Sequence, residues 1–412
     1  MGQQSAAGTF VIDPLGRDLP GEAASLRERG PAVLVELPAG VPAWSITRYE
    51  LLRELLADPR VSKDPRQHWP AWQRGDYHDS WLRSWVGVVN MFSSYGEEHR
   101  RLRKLIAPAF TLRRTHAMQP QVEQITNELL DDMAKAPAGE PVDLRSAYSF
   151  PLPMRVICEL FGIPMEHRPE VARLVERIMA TNVTPEEAAE TAEGVNAAFS
   201  SLVAFKRENP GEDLTSTLIA ARDEDGSGLE EQQLLDTLLL VVAAGHETTV
   251  NLIGNAVHAL LTHPEQLKLV RDGEVPWANV IEETLRWAPS IANLPLRYAV
   301  EDIELPEGVT IRKGDAIITS YASSGWDPAK HGETADRFDI RREDTEHLSF
   351  GHGVHFCLGA PLARMEAGIA LPALFERFPD IHLAVPTEEL EHVPSFVAHG
   401  FATLPVNLGA PS

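Results

Sequence analysis

The chain has 412 residues, 43% of them hydrophobic, enough to bury a large core. Its 37 Lys and Arg stand against 60 Asp and Glu, and the net charge of −23 argues against nucleic acid as a partner. Two cysteines, Cys158 and Cys357, exclude a disulfide framework and suit a reducing cytoplasm. Residues Met1 to Phe10 carry no apolar run with a basic flank, so no secretory signal is expected there and the stretch is expected to be flexible. No run approaches the ~18 apolar residues of a spanning helix, and the longest, Leu238 to Gly245, reads as core. A cytoplasmic, monomeric protein without a membrane partner is the expectation.

In chain order, strand patterns at Val33–Leu37 and Ala43–Thr47 are followed by helical periodicity over Glu50–Ala57, Gly96–Phe110, Met118–Ala136, Met154–Phe161 and Pro185–Arg207. In the second of these helices His99 and Arg103 lie four apart, on one face. A long helix over Leu229–Leu261 would span about 50 Å. Ser227 and Glu230 suggest a capping box at its start, and His263-Pro264 ends it. Its apolar middle is interrupted by Gly245-His246-Glu247-Thr248-Thr249. Polar groups in a buried helix cost free energy unless partnered, so a ligand cavity is expected beside them. A zinc-protease motif would need a second histidine at position 250, where the chain has Val250.

Trp277–Trp287 reads as a helix on which Glu283 and Arg286, three apart, can pair and point a guanidinium fork beyond the helix. Short strands at Val309–Arg312 and Ala316–Ser320 flank a turn at Lys313-Gly314-Asp315. The last helix, Pro361–Arg377, follows the loop Phe350-Gly351-His352-Gly353-Val354-His355-Phe356-Cys357-Leu358-Gly359. Gly351 and Gly353 permit tight turns, and Gly359 lets main chain approach the sulfur. Cys357 therefore sits at a helix N-terminus, where free N–H groups and the helix dipole are expected to lower the thiol's pKa and favour a metal-binding thiolate. A dinucleotide fingerprint would need glycine at Phe356, and a zinc site from His352, His355 and Cys357 would crowd its ligands and lack a fourth.

This loop resembles the heme-binding signature of the cytochromes P-450, F-x-x-G-x-[RH]-x-C-x-G, at every specified position. Ala244 to Thr249 is similar to the family's [AG]-G-x-[DE]-T-[TS], and Glu283 to Arg286 to its E-x-x-R, in the family's order. The resemblance runs from about residue 10 to the C-terminus, with no room for a fused reductase. It implies a single domain over residues 1–412 with the cytochrome P-450 fold, mainly α, a triangular prism of helices with a small β-rich subregion. One departure is clear: many soluble bacterial members read A-N-R-D-P where this chain has Ser324-Gly325-Trp326-Asp327-Pro328.

The resemblance further implies heme b with Cys357 as the axial iron ligand, framed by Phe350 and Gly359, with His99, Arg103, Arg297 and His355 on the propionates. It makes Glu247 and Thr248 the acid–alcohol pair that delivers protons, with Gly245 leaving room for dioxygen, the co-substrate. Glu283 and Arg286 become a structural pair braced by Arg337, or else by Arg341 or Arg342. Candidate pocket residues are Met91, Phe92, Ala243, Ala244, Ile291, Leu294, Val397 and Phe401, a mostly apolar set that suits a steroid, a macrolide or polyketide, or an aromatic substrate. Electrons would come from NAD(P)H through a separate ferredoxin reductase and ferredoxin, docked on a basic patch of Arg100, Arg101, Lys104, Arg113, Arg114 and Arg364. Alternatives are a peroxide-driven peroxygenase, and a heme-based gas sensor or heme carrier without turnover.

Overall fold

In a computed structural model, which describes residues 9–137, 139–179, 185–223 and 226–410, helices make up most of the chain and strands are short. Residues 1–8, most of the stretch expected to be flexible, lie outside the described residues. The expected helices form as Tyr49–Ala57, Gly96–Ile106, Gln119–Met133, Pro151–Phe161, Pro185–Glu208, Glu231–Thr262, Trp277–Trp287 and Ala360–Arg377. Leu19–Arg29 and Arg168–Met179 are helices that the periodicity did not single out.

The main sheet has six strands: β1 (Phe10–Val11), β2 (Ala32–Leu37), β3 (Val41–Ile46), β4 (Val61–Ser62), β5 (Asn293–Ala299) and β6 (Ala316–Ser320), in the order β1-β2-β3-β6-β5-β4. The two late strands expected on either side of Lys313-Gly314-Asp315 do not pair with each other. Thr310–Ile311 pairs with Ile303–Glu304, whereas β6 runs parallel to β3 and antiparallel to β5. All five residues of β6 are buried, and a strand covered on both faces belongs inside a sheet rather than on its edge.

The central helix, Glu231–Thr262, is capped differently from expectation: Glu230, not Ser227, is the N-cap, and its backbone N–H donates to Gln233 Oε1 at 3.2 Å. By length and composition this helix could cross a membrane, but 67% of its most apolar window is buried inside the protein, as in a core helix. Leu252, Ile253, Ala256 and Leu260 pack in one apolar cluster with Leu371 and Leu374 of the cysteine helix, Ala360–Arg377. That packing fixes the cysteine helix against the centre of the molecule.

Glu283 and Arg286 are fully buried and paired through two bonds, Nε to Oε2 at 2.7 Å and Nη2 to Oε1 at 2.8 Å. The remaining guanidinium donors reach the carbonyls of Gly325, Ala335 and Arg337 at 2.6 to 2.8 Å. Arg337 therefore contributes its carbonyl and not the side chain. The side chain that braces the pair is Arg342, whose Nε lies 3.3 Å from Glu283 Oε1. A Cβ on Gly325 would come within 2.0 Å of the Arg286 carbonyl, so this crossing requires glycine.

Glu366, on the cysteine helix, is buried with one carboxylate oxygen unpartnered, and burial pushes its pKa up from 4.5 to about 8. A carboxyl raised in the fold gives its full contribution to stability below its unfolded pKa and loses it as pH rises toward the folded value. Glu366→Gln should therefore flatten the loss of stability between pH 4.5 and 8, gaining about 2–4 kcal/mol over the native chain above that window. Denaturant unfolding of both proteins at either end of the window checks this.

Candidate functional site

The cysteine loop is shaped by its glycines. Gly351 and Gly353 have φ of 71° and 70°, and a Cβ on Gly353 would press on Leu56 O and Ala57 Cα at 2.9 and 3.0 Å. The backbone of Cys357 is tied to the start of the loop, its N–H donating to Phe350 O at 2.9 Å. Burial pushes the thiol up, and the N–H groups of Gly359 and Ala360 with the charges of Arg103 and Arg364 pull it down less strongly. The expected lowering is thus present in its parts but outweighed by desolvation. A coordinating metal reverses that balance, since a thiol bound to a metal ion is deprotonated outright.

Five basic side chains converge beside this loop. β4 pairs with β5 through Val61↔Ala299 and Ser62↔Tyr298, and one further antiparallel step brings Lys63 alongside Arg297. Lys63, Arg297 and His99 are each 3% exposed. The rings of His99 and His355 lie 4.0 Å apart, and Arg103 Nη2 donates to Phe356 O at 2.8 Å. None of the five forms an ion pair among the described residues, and His99 Nε2 and Arg297 Nε are buried without a partner. Burial, then the neighbouring cations, hold His99 down at about 4 and Lys63 and His355 well below their ordinary values. Such a cluster is complete only with an anion beside it. The two carboxylates of heme supply that charge, so these residues fit the group. Lys63 was not singled out in the sequence, where only its register across from Arg297 would have revealed it.

On the central helix, Ala243 is half-buried and Ala244 exposed, although Val242, His246 and Glu247 around them are buried. A mid-core helix is therefore open on the alanine side. The bare face of Gly245 does not contribute to this opening: a Cβ there would meet Ile157 Cδ1 at 3.4 Å, on the packed side. Glu247 is turned away too. Its carboxylate accepts from Arg145 Nη2 at 3.0 and 3.1 Å, while Arg145 Nη1 donates to Asn251 Oδ1 at 3.3 Å. Thr248 is half-buried, and its hydroxyl donates to Ala244 O at 2.5 Å, which leaves the oxygen's lone pairs free to accept. The structure therefore separates the acid and the alcohol onto different partners.

Met91 packs against the cluster that holds Leu238 and Val242, and Phe92 lies under Lys63 Nζ at 3.5 Å. Ile291 bridges to Ala398, Leu294 lies on β5, and Val397 is buried with its carbonyl on the Ala292 N–H. Phe401 departs from expectation. Its ring lies tilted against those of His258 and His392, at 4.6 and 4.7 Å, and lines a separate cavity with Asn255 and Trp326. The basic patch is also weaker than the sequence suggests. Arg100, Arg101, Lys104 and Arg364 pair with Glu97, Glu98, Asp223 and Glu282, and Arg114 donates to Thr217. Arg113 is exposed and forms no ion pair among the described residues.

The family model described as Cytochrome P450 matches residues 73–272 and 277–399. The chain is 47% identical over 400 residues to a 2-hydroxy-5-methyl-1-naphthoate 7-hydroxylase of Streptomyces carzinostaticus, covering 97% of each. Its structure superposes on that of CYP154A1 from Streptomyces coelicolor A3(2) with a TM-score of 0.90 at 52% identity, covering 97% of this chain and 99% of that one. A testosterone-bound CYP154C4 from Streptomyces sp. ATCC 11861 superposes with a TM-score of 0.93 at 46% identity, covering 97% and 98%.

Replacing a buried, unpaired charge by an apolar chain of similar length removes its desolvation cost and its repulsion with neighbours. Lys63→Met should therefore raise the unfolding free energy of the heme-free chain, by about 1–3 kcal/mol. Denaturant titration of the two heme-free proteins measures it.

Proposed function

The chain belongs to the cytochrome P450 family and is a heme-thiolate monooxygenase, and on that premise we propose that it hydroxylates a C–H bond of an apolar small molecule of aromatic, macrolide or steroid class. The site assignment rests above all on five basic side chains gathered without an acid beside Cys357. When bound, heme supplies the oxygen and redox chemistry, and thiolate ligation favours O–O cleavage. Two electrons and two protons are consumed with each dioxygen; one oxygen atom enters the C–H bond and the other leaves as water.

In this reading His99, Arg103, Arg297, His355 and Lys63 hold the propionates, while Phe350 and Gly359 frame the sulfur. Thr248 would accept a hydrogen bond on its hydroxyl oxygen and so orient a proton donor, such as a water, at the open face of the helix. Glu247 would relay protons to that donor, taking each one up and handing it on, when its carboxylate leaves Arg145. The apolar side chains of Met91, Phe92, Ala243, Ala244, Ile291 and Leu294 position the substrate and exclude water. The names of the naphthoate hydroxylase and the testosterone complex support aromatic and steroid candidates.

Electrons are proposed to pass from NAD(P)H through a ferredoxin reductase and a ferredoxin. With most of the basic patch paired, the docking surface narrows to Arg113 and the neighbouring Leu112, which is 63% exposed. The intact acid and alcohol favour this route over a peroxide-driven one, and a gas sensor or heme carrier needs neither. A cytoplasmic setting and a monomeric, single-domain chain belong to the same proposal, the setting supported by two cysteines that are both free.

Cys357→Ser should abolish the red-shifted Soret band of the reduced carbon-monoxide complex, because the hydroxyl supplies no anionic sulfur. Retention of that band in the variant, or its absence from the native protein, refutes the ligand assignment. Turnover with a surrogate ferredoxin and reductase tests the proton route. Thr248→Ala should lower product per electron pair several-fold and release peroxide instead, with substrate binding spectra little changed. Those same spectra, collected over the three compound classes, sort the substrate.

A further inference from the structure

The segment Ser323–Pro328, where the chain departs from the A-N-R-D-P of many bacterial relatives, takes no part in the site described above. Trp326 stands at the arginine position of that motif. It is buried, and its Nε1 donates to Trp287 O at 2.7 Å, which fixes the indole as a wall. The wall belongs to a cavity of about 600 Å³, a volume typical of small-molecule sites. Asn255 and His258 of the central helix line it, seven and ten residues beyond Thr248, or about 10 to 15 Å along the helix axis.

Its lining is aromatic. Besides the tilted contacts of Phe401 with His258 and His392, Trp326 meets His399 edge-on at 6.3 Å. Burial holds His258 and His399 down to about 4, so both imidazoles are neutral at neutral pH. Three polar atoms on the lining are left over: His258 Nε2 and His399 Nδ1 are buried without a partner among the described residues, and Asn255 adds an acceptor. Asn255 is 2% exposed, and its amide nitrogen donates to the carbonyls of Ala288 and His399, both at 3.0 Å. No donor among the described residues reaches its Oδ1. Arg27 lines the cavity together with Glu333 and Asp336, one base against two acids, which disfavours an anion there.

We propose that this cavity is a second small-molecule site, separate from the heme pocket, which takes a neutral fused-ring aromatic molecule whose hydroxyl donates to Asn255 Oδ1. Flat aromatic rings match the tilted and edge-on faces of the wall, and a hydroxyl matches Asn255 Oδ1, which is an acceptor whatever tautomers the histidines adopt.

The probe is 2-naphthol, dialysed to equilibrium against the heme-loaded enzyme, with heme-pocket occupancy read separately from the Soret shift. Ala24 is an exposed residue on the cavity wall, and Ala24→Trp fills the space. The native enzyme should bind one naphthol per chain more than this variant, while the Soret titration stays the same in both. Trp326→Arg, which restores the arginine common among bacterial relatives, should weaken the extra binding roughly ten-fold. Equal stoichiometry in native enzyme and Ala24→Trp overturns the proposal. So does native binding that the Soret titration accounts for in full.

Discussion

Glu283 and Arg286 hold together three parts of the chain that are separate in sequence. The guanidinium ties the helix Trp277–Trp287 to the turn at Gly325 and to the segment around Ala335 and Arg337, and the carboxylate also accepts the Asp339 N–H at 2.8 Å. A buried ion pair gives little net stability by itself, because desolvation consumes most of the attraction. Its worth here is positional, since every donor of the fork finds an acceptor and only one arrangement satisfies all of them. Breaking one partner would leave a charge with no exposed surface, which costs about 3–5 kcal/mol.

The neighbouring acid, Glu282, works in the opposite direction. Burial raises its pKa, but hydrogen bonds from Arg364 and His347 overcome this and bring it down to about 2. Arg364 lies on the cysteine helix and His347 just before the cysteine loop, so one carboxylate grips both ends of that loop. Two consecutive acids on a single turn thus brace the segment 335–342 on one side and the cysteine loop on the other. The loop's form is set by contacts that do not touch the sulfur.

Much of this was legible in the sequence. The long helices carry their own periodicity, and Trp277–Trp287 ends where the pattern ends. Motif order drew attention to Cys357, Thr248 and the Glu283–Arg286 pair, and of these the structure shows the pair, buried and bonded. What stayed hidden depends on pairing between distant segments. Lys63 reads as an ordinary surface lysine until β4 is laid against β5, and Arg145 is unremarkable until it meets Glu247 across the core. The choice of Arg342 over Arg337 turns on side-chain direction, which spacing along the chain does not encode. Phe401 was misplaced for the same reason: the C-terminal turn carries its aromatic ring to the far part of the central helix, against His258.

If heme is held there, the gathering of basic groups beside the cysteine loop would also tie the amount of folded protein to cofactor supply. An anionic ligand that binds only the folded chain shifts the folding equilibrium by mass action, in proportion to the logarithm of its free concentration over its dissociation constant. Because burying these basic groups without an acid costs free energy, chiefly by desolvation, that shift is measured from a lower starting point than in a protein whose site is electrically balanced. In a cell short of heme the chain would spend more time open to chaperones and proteases. Heme availability would then govern how much enzyme persists as well as how much of it is active.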